Sequence, residues 1–118
     1  MTTTNAGMAE VAQLIIGTGT AFSNIAIGTG TDSFAATSTE LGTEYARDTA
    51  TTSNVTTDVT GDTAQFVLTF NFTEAKAVTE AGVLNAVSDG DMIAAQTFSA
   101  VNVGDGDSLQ ITYKIDVD

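Results

Sequence analysis

Asp89 and Asp91 in "VSDGD", and Asp105 and Asp107 in "GDGDS", place hard oxygen donors in two short turns. This is the residue type that Ca²⁺ takes. The spacing is not that of an EF-hand, which needs ligands at alternate loop positions and a closing glutamate. Nor does it fit the nonapeptide calcium repeat, because Ser108 stands where that pattern needs an aspartate. Solvated hairpin tips are the competing reading, and Ca²⁺ or another cation is the one cofactor that these turns suggest. Glu74 and Glu80 form a second carboxylate pair near a strand junction, the residue types used in glycoside chemistry. The chain has no Trp and no His, so a sugar-cleaving cleft has little to build on. Glu80 in "VTEAGV" therefore reads as a polar contact at a strand or subunit boundary, and no catalytic residue is assigned.

"GTGT" occurs twice, at Gly17 to Thr20 and at Gly28 to Thr31, each time after an apolar run. A dinucleotide loop needs a third glycine where Phe22 and Ser33 stand. A P-loop needs a lysine after its last glycine, and the first lysine is Lys76. Both copies read instead as turns, the first as a helix C-cap and the second as the turn after a strand. Asn54-Val-Thr56 and Asn71-Phe-Thr73 match the glycan acceptor tripeptide, a short pattern that a Thr-rich chain produces by chance.

Composition removes further chemistry. With no Cys and no His, thiol nucleophiles, imidazole acid/base catalysis and disulfide staples are excluded. Fifteen acidic residues against three basic ones leave a net charge of -12, which disfavours nucleic acid and anionic membranes as partners. The acids are spread along the chain and Lys is nearly eliminated, a balance suited to a high-salt medium, where the Debye length falls to about 3 Å. An ordinary acidic protein is the alternative. No run approaches the ~20 apolar residues of a membrane span. "MTTTNAGMAEVAQLII" lacks the basic region of a signal peptide, so synthesis in the cytoplasm is expected.

The elements that must position these residues are mostly strands. Met8, Val11, Ala12 and Ile15 recur at helical spacing within residues 5–16, with Asn5 or Gly7 as cap and Gly17 as stop. A short strand is expected over 22–27, a polar loop over 32–44, and one or two exposed strands over 45–60. In "QFVLTFNF", Phe66, Leu68, Phe70 and Phe72 share one face. In "LQITYKIDVD", Leu109, Ile111, Tyr113, Ile115 and Val117 share one face, opposite Gln110, Thr112, Lys114, Asp116 and Asp118. The Asp-Gly turns at 88–91 and 104–107 are expected to join three successive antiparallel strands. The expected fold is all-β, one domain over 1–118: an antiparallel β-sandwich, jelly-roll or immunoglobulin-like, with a short N-terminal helix.

The segments "NAGMAEVAQLI", "NIAIGTGT" and "AVTEAGVLNAVSDGDMIAAQTFSAVNVGDGDSLQITYKIDV" resemble a group of small structural proteins of tailed viruses of bacteria and archaea. There an "NxGLAEVA" helix precedes an "AIGTGT" strand-turn, a polar section ending in Ala-Arg, and a C-terminal "ITEAGLFNA" with "FSAINxxxGDSLQITW". The matching positions here are 5–16, 24–31, Ala46–Arg47, 78–86 and 98–113, most of the chain. "TEAGVLN" is also similar to the "EIGLF" strand of tail-collar and fibre proteins. Val83 and Leu84 replace Leu-Phe, and Tyr113 replaces Trp, with apolar character kept.

The resemblance implies a non-enzymatic virion protein, and the acidic composition implies a halophilic archaeal host. The leading expectation is a head decoration or turret subunit that forms a symmetric homo-oligomer and docks on the major capsid protein or other virion proteins. It binds no nucleic acid and inserts in no membrane. Met8, Val11 and Ile15 are the contact candidates, unless the helix simply covers an open end of its own sandwich. A tail fibre or baseplate module, binding a host receptor through the 32–44 loop, is the alternative. A soluble carbohydrate- or ion-binding module is a third, and the missing Trp argues against it.

Overall fold

The computed structural model describes residues 1–117; Asp118, assigned above to the outer face of the last strand, lies outside the described residues. Eight strands and one helix follow in the order β1 (Thr2–Thr3), α1 (Asn5–Ile15), β2 (Asn24–Gly28), β3 (Glu44–Thr49), β4 (Thr51–Val55), β5 (Thr63–Asn71), β6 (Lys76–Leu84), β7 (Met92–Val103) and β8 (Ser108–Asp116). They form two antiparallel sheets, ordered β1-β7-β6-β2-β3 and β4-β5-β8. The result is the all-β sandwich with a short N-terminal helix that the alternation predicts.

The core lies between the sheets. Phe66, Phe70 and Phe72 point inward from β5 and its end, and meet Ile25, Ile27, Val83 and Ile93 of the larger sheet. Burying such side chains is worth about 1.5–3 kcal/mol each. Tyr45 of β3 stacks on Phe72 with ring centroids 5.9 Å apart, and Lys76 Nζ sits 4.7 Å from the Tyr45 ring centre. A second apolar cluster, Ala26, Leu41, Leu84, Met92 and Ala95, occupies the other face of the larger sheet. Leu41 and Phe34 bring the 29–43 connection down onto that face. This segment, expected as a polar loop of little structure, is thus a cover, because it contributes apolar side chains to a sheet buried on both sides.

The Asp-Gly turns differ. At 88–91 both Asp89 and Gly90 have positive φ, inside a longer loop closed by the bond from Asn85 N–H to Asp91 C=O, and β6 pairs with β7. At 104–107 only Gly106 has positive φ, and β8 pairs with β5, not with β7. The expectation of three successive paired strands is corrected on this point. Gly106 N–H donates to Phe72 C=O, and Phe72 N–H donates to Asp107 C=O, so the turn is tied to the end of β5 and carries the chain across the sandwich.

The helix cap also differs from expectation. Thr4 is the N-cap: its buried hydroxyl accepts from Gly7 N–H at 3.0 Å and donates to Met92 C=O. A hydroxyl one residue before the helix outcompetes Asn5 and Gly7 because it reaches the free amide of the first turn. Gly7 and Glu10 are the buried helix positions, Val11 is half-buried against the core, and Met8, Ala12 and Ile15 are exposed. A Cβ on Gly7 would overlap the backbone of Ile93, so the glycine lets the helix lie directly on β7 and turns the apolar stripe outward.

Of the acidic residues, Glu10 and Glu80 are buried, and the others in the described chain lie at or near the surface. Arg47 and Lys76 are each paired with a glutamate, which leaves a strong negative field. Lowering NaCl from molar to about 0.1 M lengthens the Debye length from about 3 to about 10 Å and is expected to lower the melting temperature by about 4 °C or more. Equal melting temperatures in a scanning calorimeter would overturn the expectation of a high-salt medium.

Candidate functional site

Both Gly-Thr-Gly-Thr segments wrap a glutamate of the chain itself. In the first, Gly17 follows the helix at φ 84° and its N–H donates to Leu14 C=O at 3.1 Å, as a C-cap glycine does. Gly19 then passes so close to Glu10 that an added Cβ would lie 2.7 Å from Oε1. Thr20 N–H donates to the same oxygen at 2.5 Å.

The second copy is more elaborate. Glu80 sits mid-strand in β6, paired with Gly28 of β2 and Thr97 of β7, and is fully buried. Its Oε2 accepts from Gly30 N–H at 3.0 Å and Thr43 N–H at 2.8 Å, and its Oε1 accepts from Gly42 N–H at 2.8 Å. Side chains on Gly28 or Gly30 would overlap this carboxylate. Thr79 Oγ1 completes the clasp by donating to Gly30 C=O at 2.5 Å. The loop has the chemistry of an anion cradle, with backbone amides converging on oxygen, and the anion it holds is internal. Glu80 is therefore a contact within its own subunit. Glu74 lies at the surface in an ion pair with Lys76, so the two glutamates do not share a cleft.

The four turn aspartates are not brought together. Asp89 and Asp91 precede β7, and Asp105 and Asp107 follow it, which puts about 40 Å of extended strand between the pairs. Asp107 Oδ2 accepts from Gly104 N–H at 2.7 Å within its own turn. A different acidic group, Asp58, Asp62 and Asp116, brings one oxygen each within 4.8 Å. Asp62 accepts from the Val59, Thr57 and Asp58 amides and from Thr63 Oγ1. The Val59 and Thr57 amides, foremost, hold its carboxyl well below the usual carboxylate range. Sequence spacing could not reveal this group, since Asp116 reaches it only through the β5–β8 ladder.

Arg47 clamps the β6–β7 hairpin. Its Nη1 donates to Asp89 C=O at 2.7 Å and Ala86 C=O at 3.1 Å, while Nε and Nη2 form a bidentate pair with Glu44 at 3.0 and 2.7 Å. Asn54 and Asn71 are both exposed, on the three-stranded sheet; Asn54 Nδ2 donates to Gly61 C=O and Asn71 Oδ1 accepts from Ser108 Oγ.

The contact candidates fall on the surface. Met8 is 58 % exposed, Ile15 79 % and its neighbour Ile16 76 %, while Val11 is half-buried against the core. No helix among the described residues is long and apolar enough to cross a membrane.

These features define an acidic antiparallel β-sandwich whose cover loop is clasped by an internal carboxylate and whose helix turns an apolar stripe to solvent. No known protein family, curated protein or solved structure matches the chain.

Proposed function

We propose that this protein is a non-enzymatic structural component of a tailed-virus particle. It is a capsid surface decoration or turret subunit, assembled as a symmetric homo-oligomer on the head. The observation that carries the reading is the outward stripe of Met8, Ile15 and Ile16 on a helix that already has its own contact with the sandwich through Gly7. Because the helix does not spend this stripe on its own core, a second copy or the capsid lattice is its natural cover. The resemblance of residues 5–16, 24–31 and 78–113 to small virion proteins supports the same reading. The surface charge, tolerable where salt screens it, favours the particle of a virus with a halophilic archaeal host.

Light scattering at molar NaCl is expected to return a multiple of the 12.0 kDa chain mass. A monomer at every salt concentration would refute the homo-oligomer. Electron microscopy of virions labelled with an antibody to the protein locates it. Label over the head is expected; label confined to the tail would establish the fibre or baseplate reading, and unlabelled particles would end the virion assignment.

A further inference from the structure

We propose that the free edge of β8 is a subunit interface, at which two copies pair antiparallel about a two-fold axis at Thr112 and join their three-stranded sheets into one. The inference rests on the homo-oligomer reading and names the surface that builds it.

Four features of the sandwich edges lead to β8. In the larger sheet, β7 is covered by β1 at Ala94 and Ala95, and between Thr97 and Val101 it carries two more residues than β6 opposite it. Such a bulge twists an edge away from pairing. The other edge of that sheet, β3, is irregular beside Gly28 and bears Glu44, Arg47 and Asp48. Pairing it with itself about Ala46 would set Glu44 opposite Asp48 of the second copy, and about Arg47 would set Arg47 opposite Arg47. In the smaller sheet, β4 is short and presents Thr51, Thr52, Ser53 and Asn54, all exposed, with the half-buried Val55 as its one apolar residue. β8 alone is long and regular: all nine of its residues stay in unbroken register with β5, and its other side has no strand partner among the described residues.

The inner face of β8 is unfinished. Leu109, Ile111 and Ile115 are only half-buried. Beside them a cleft of about 430 Å³ opens between β8 and the β6–β7 side, lined by Phe98, Ile111 and Tyr113. Tyr113 is 8 % exposed, and its Oη is buried without a hydrogen-bond partner. A buried hydroxyl left unpaired is costly, which marks this face as incomplete in the isolated subunit.

Self-pairing of β8 about Thr112 is complementary throughout. Side chains that face the core meet their own kind: Leu109 lies opposite Ile115 of the second copy, and Ile111 opposite Tyr113. On the outer face Gln110 meets Lys114 and Thr112 meets Thr112; at the ends Ser108 meets Asp116. No acidic residue opposes another, although the chain carries a net charge of -12.

The chain has no Cys, so Thr112→Cys is a clean probe. At molar NaCl under mild oxidation it is expected to form a disulfide-linked dimer at least tenfold faster than Ser53→Cys on the β4 edge. Thr112→Glu, whose side chain points to solvent in the isolated subunit, is expected to weaken association at least tenfold with the circular dichroism spectrum unchanged. Mixing it with Thr112→Lys should restore association. If the oligomer persists while neither cross-linking nor Thr112→Glu has an effect, the β8 interface is wrong and the homo-oligomer stands. A wild-type monomer at every salt concentration would overturn both.

Discussion

Replacing Glu80 by alanine is expected to cost about 3–6 kcal/mol of unfolding free energy, a large share of the roughly 5–15 kcal/mol that holds a domain together. The carboxylate accepts from three backbone amides, those of Gly30, Gly42 and Thr43, at 2.8 to 3.0 Å. Truncation removes the fully buried acceptor from these part-buried bonds, and each donor left unpaired costs about 1–3 kcal/mol. Glu80→Gln separates charge and acceptor number from shape. The amide fills the same space, but its NH₂ must face an N–H, so a loss of about 2 kcal/mol is expected. Thermal and urea melts at fixed molar NaCl measure both variants. Amide exchange adds a local readout, since protection should fall first at Gly30, Gly42 and Thr43. An alanine variant that melts within about 1 °C of the parent would show that the clasp is not what holds the 29–43 cover down.

Gly7→Ala reverses the usual sign. In an open helix the change stabilises by about 1 kcal/mol, because glycine has more backbone entropy to lose. Here the new Cβ would overlap Ile93 Cα and come within 2.9 Å of Ile93 Cβ, so either α1 or β7 must move. Ile93 belongs to the core between the sheets, and displacing the helix disturbs it and half-buried Val11 together. Overpacking of this kind costs about 1–3 kcal/mol, so a net loss of about 1–2 kcal/mol is expected. Met8→Ala, one position along and exposed, should leave the isolated subunit within about 0.5 kcal/mol of the parent. Denaturant melts of the two variants side by side make the comparison. Stabilisation by Gly7→Ala would mean that the helix does not rest on β7 through its glycine.

The two glutamate clasps bear on how a small acidic sandwich stays ordered. In a chain with so many carboxylates, burying two of them needs a compensating partner, and the sequence supplies few cations. Backbone amides of glycine-rich loops take that part. They carry no net charge, need no long side chain to be ordered, and hold each loop to the element bearing the glutamate. The cover over the larger sheet and the exit from the helix are thus fastened by the same chemistry.

The alternation of "QFVLTFNF" and of residues 109–116, the stop at Gly17 and the Asp-Gly reversal between β6 and β7 were legible from sequence, because side-chain period and turn chemistry are local properties. Fold class follows from them. The partition of strands between sheets was not legible: two similar Asp-Gly turns lead in one case to a hairpin and in the other across the sandwich, and the difference rests on bonds from Gly106 and Asp107 to Phe72. The same holds for the buried face of the helix, which is decided by how closely Gly7 meets Ile93 rather than by which residues are most apolar. From sequence Glu80 read as a polar contact at a strand or subunit boundary, but not as the centre of a clasp; its donors lie 37 to 50 positions away. Local pattern determines what each segment can become. Which segments meet is decided by long-range closure, where backbone approach and the pairing of every buried polar group select one arrangement among those the pattern allows.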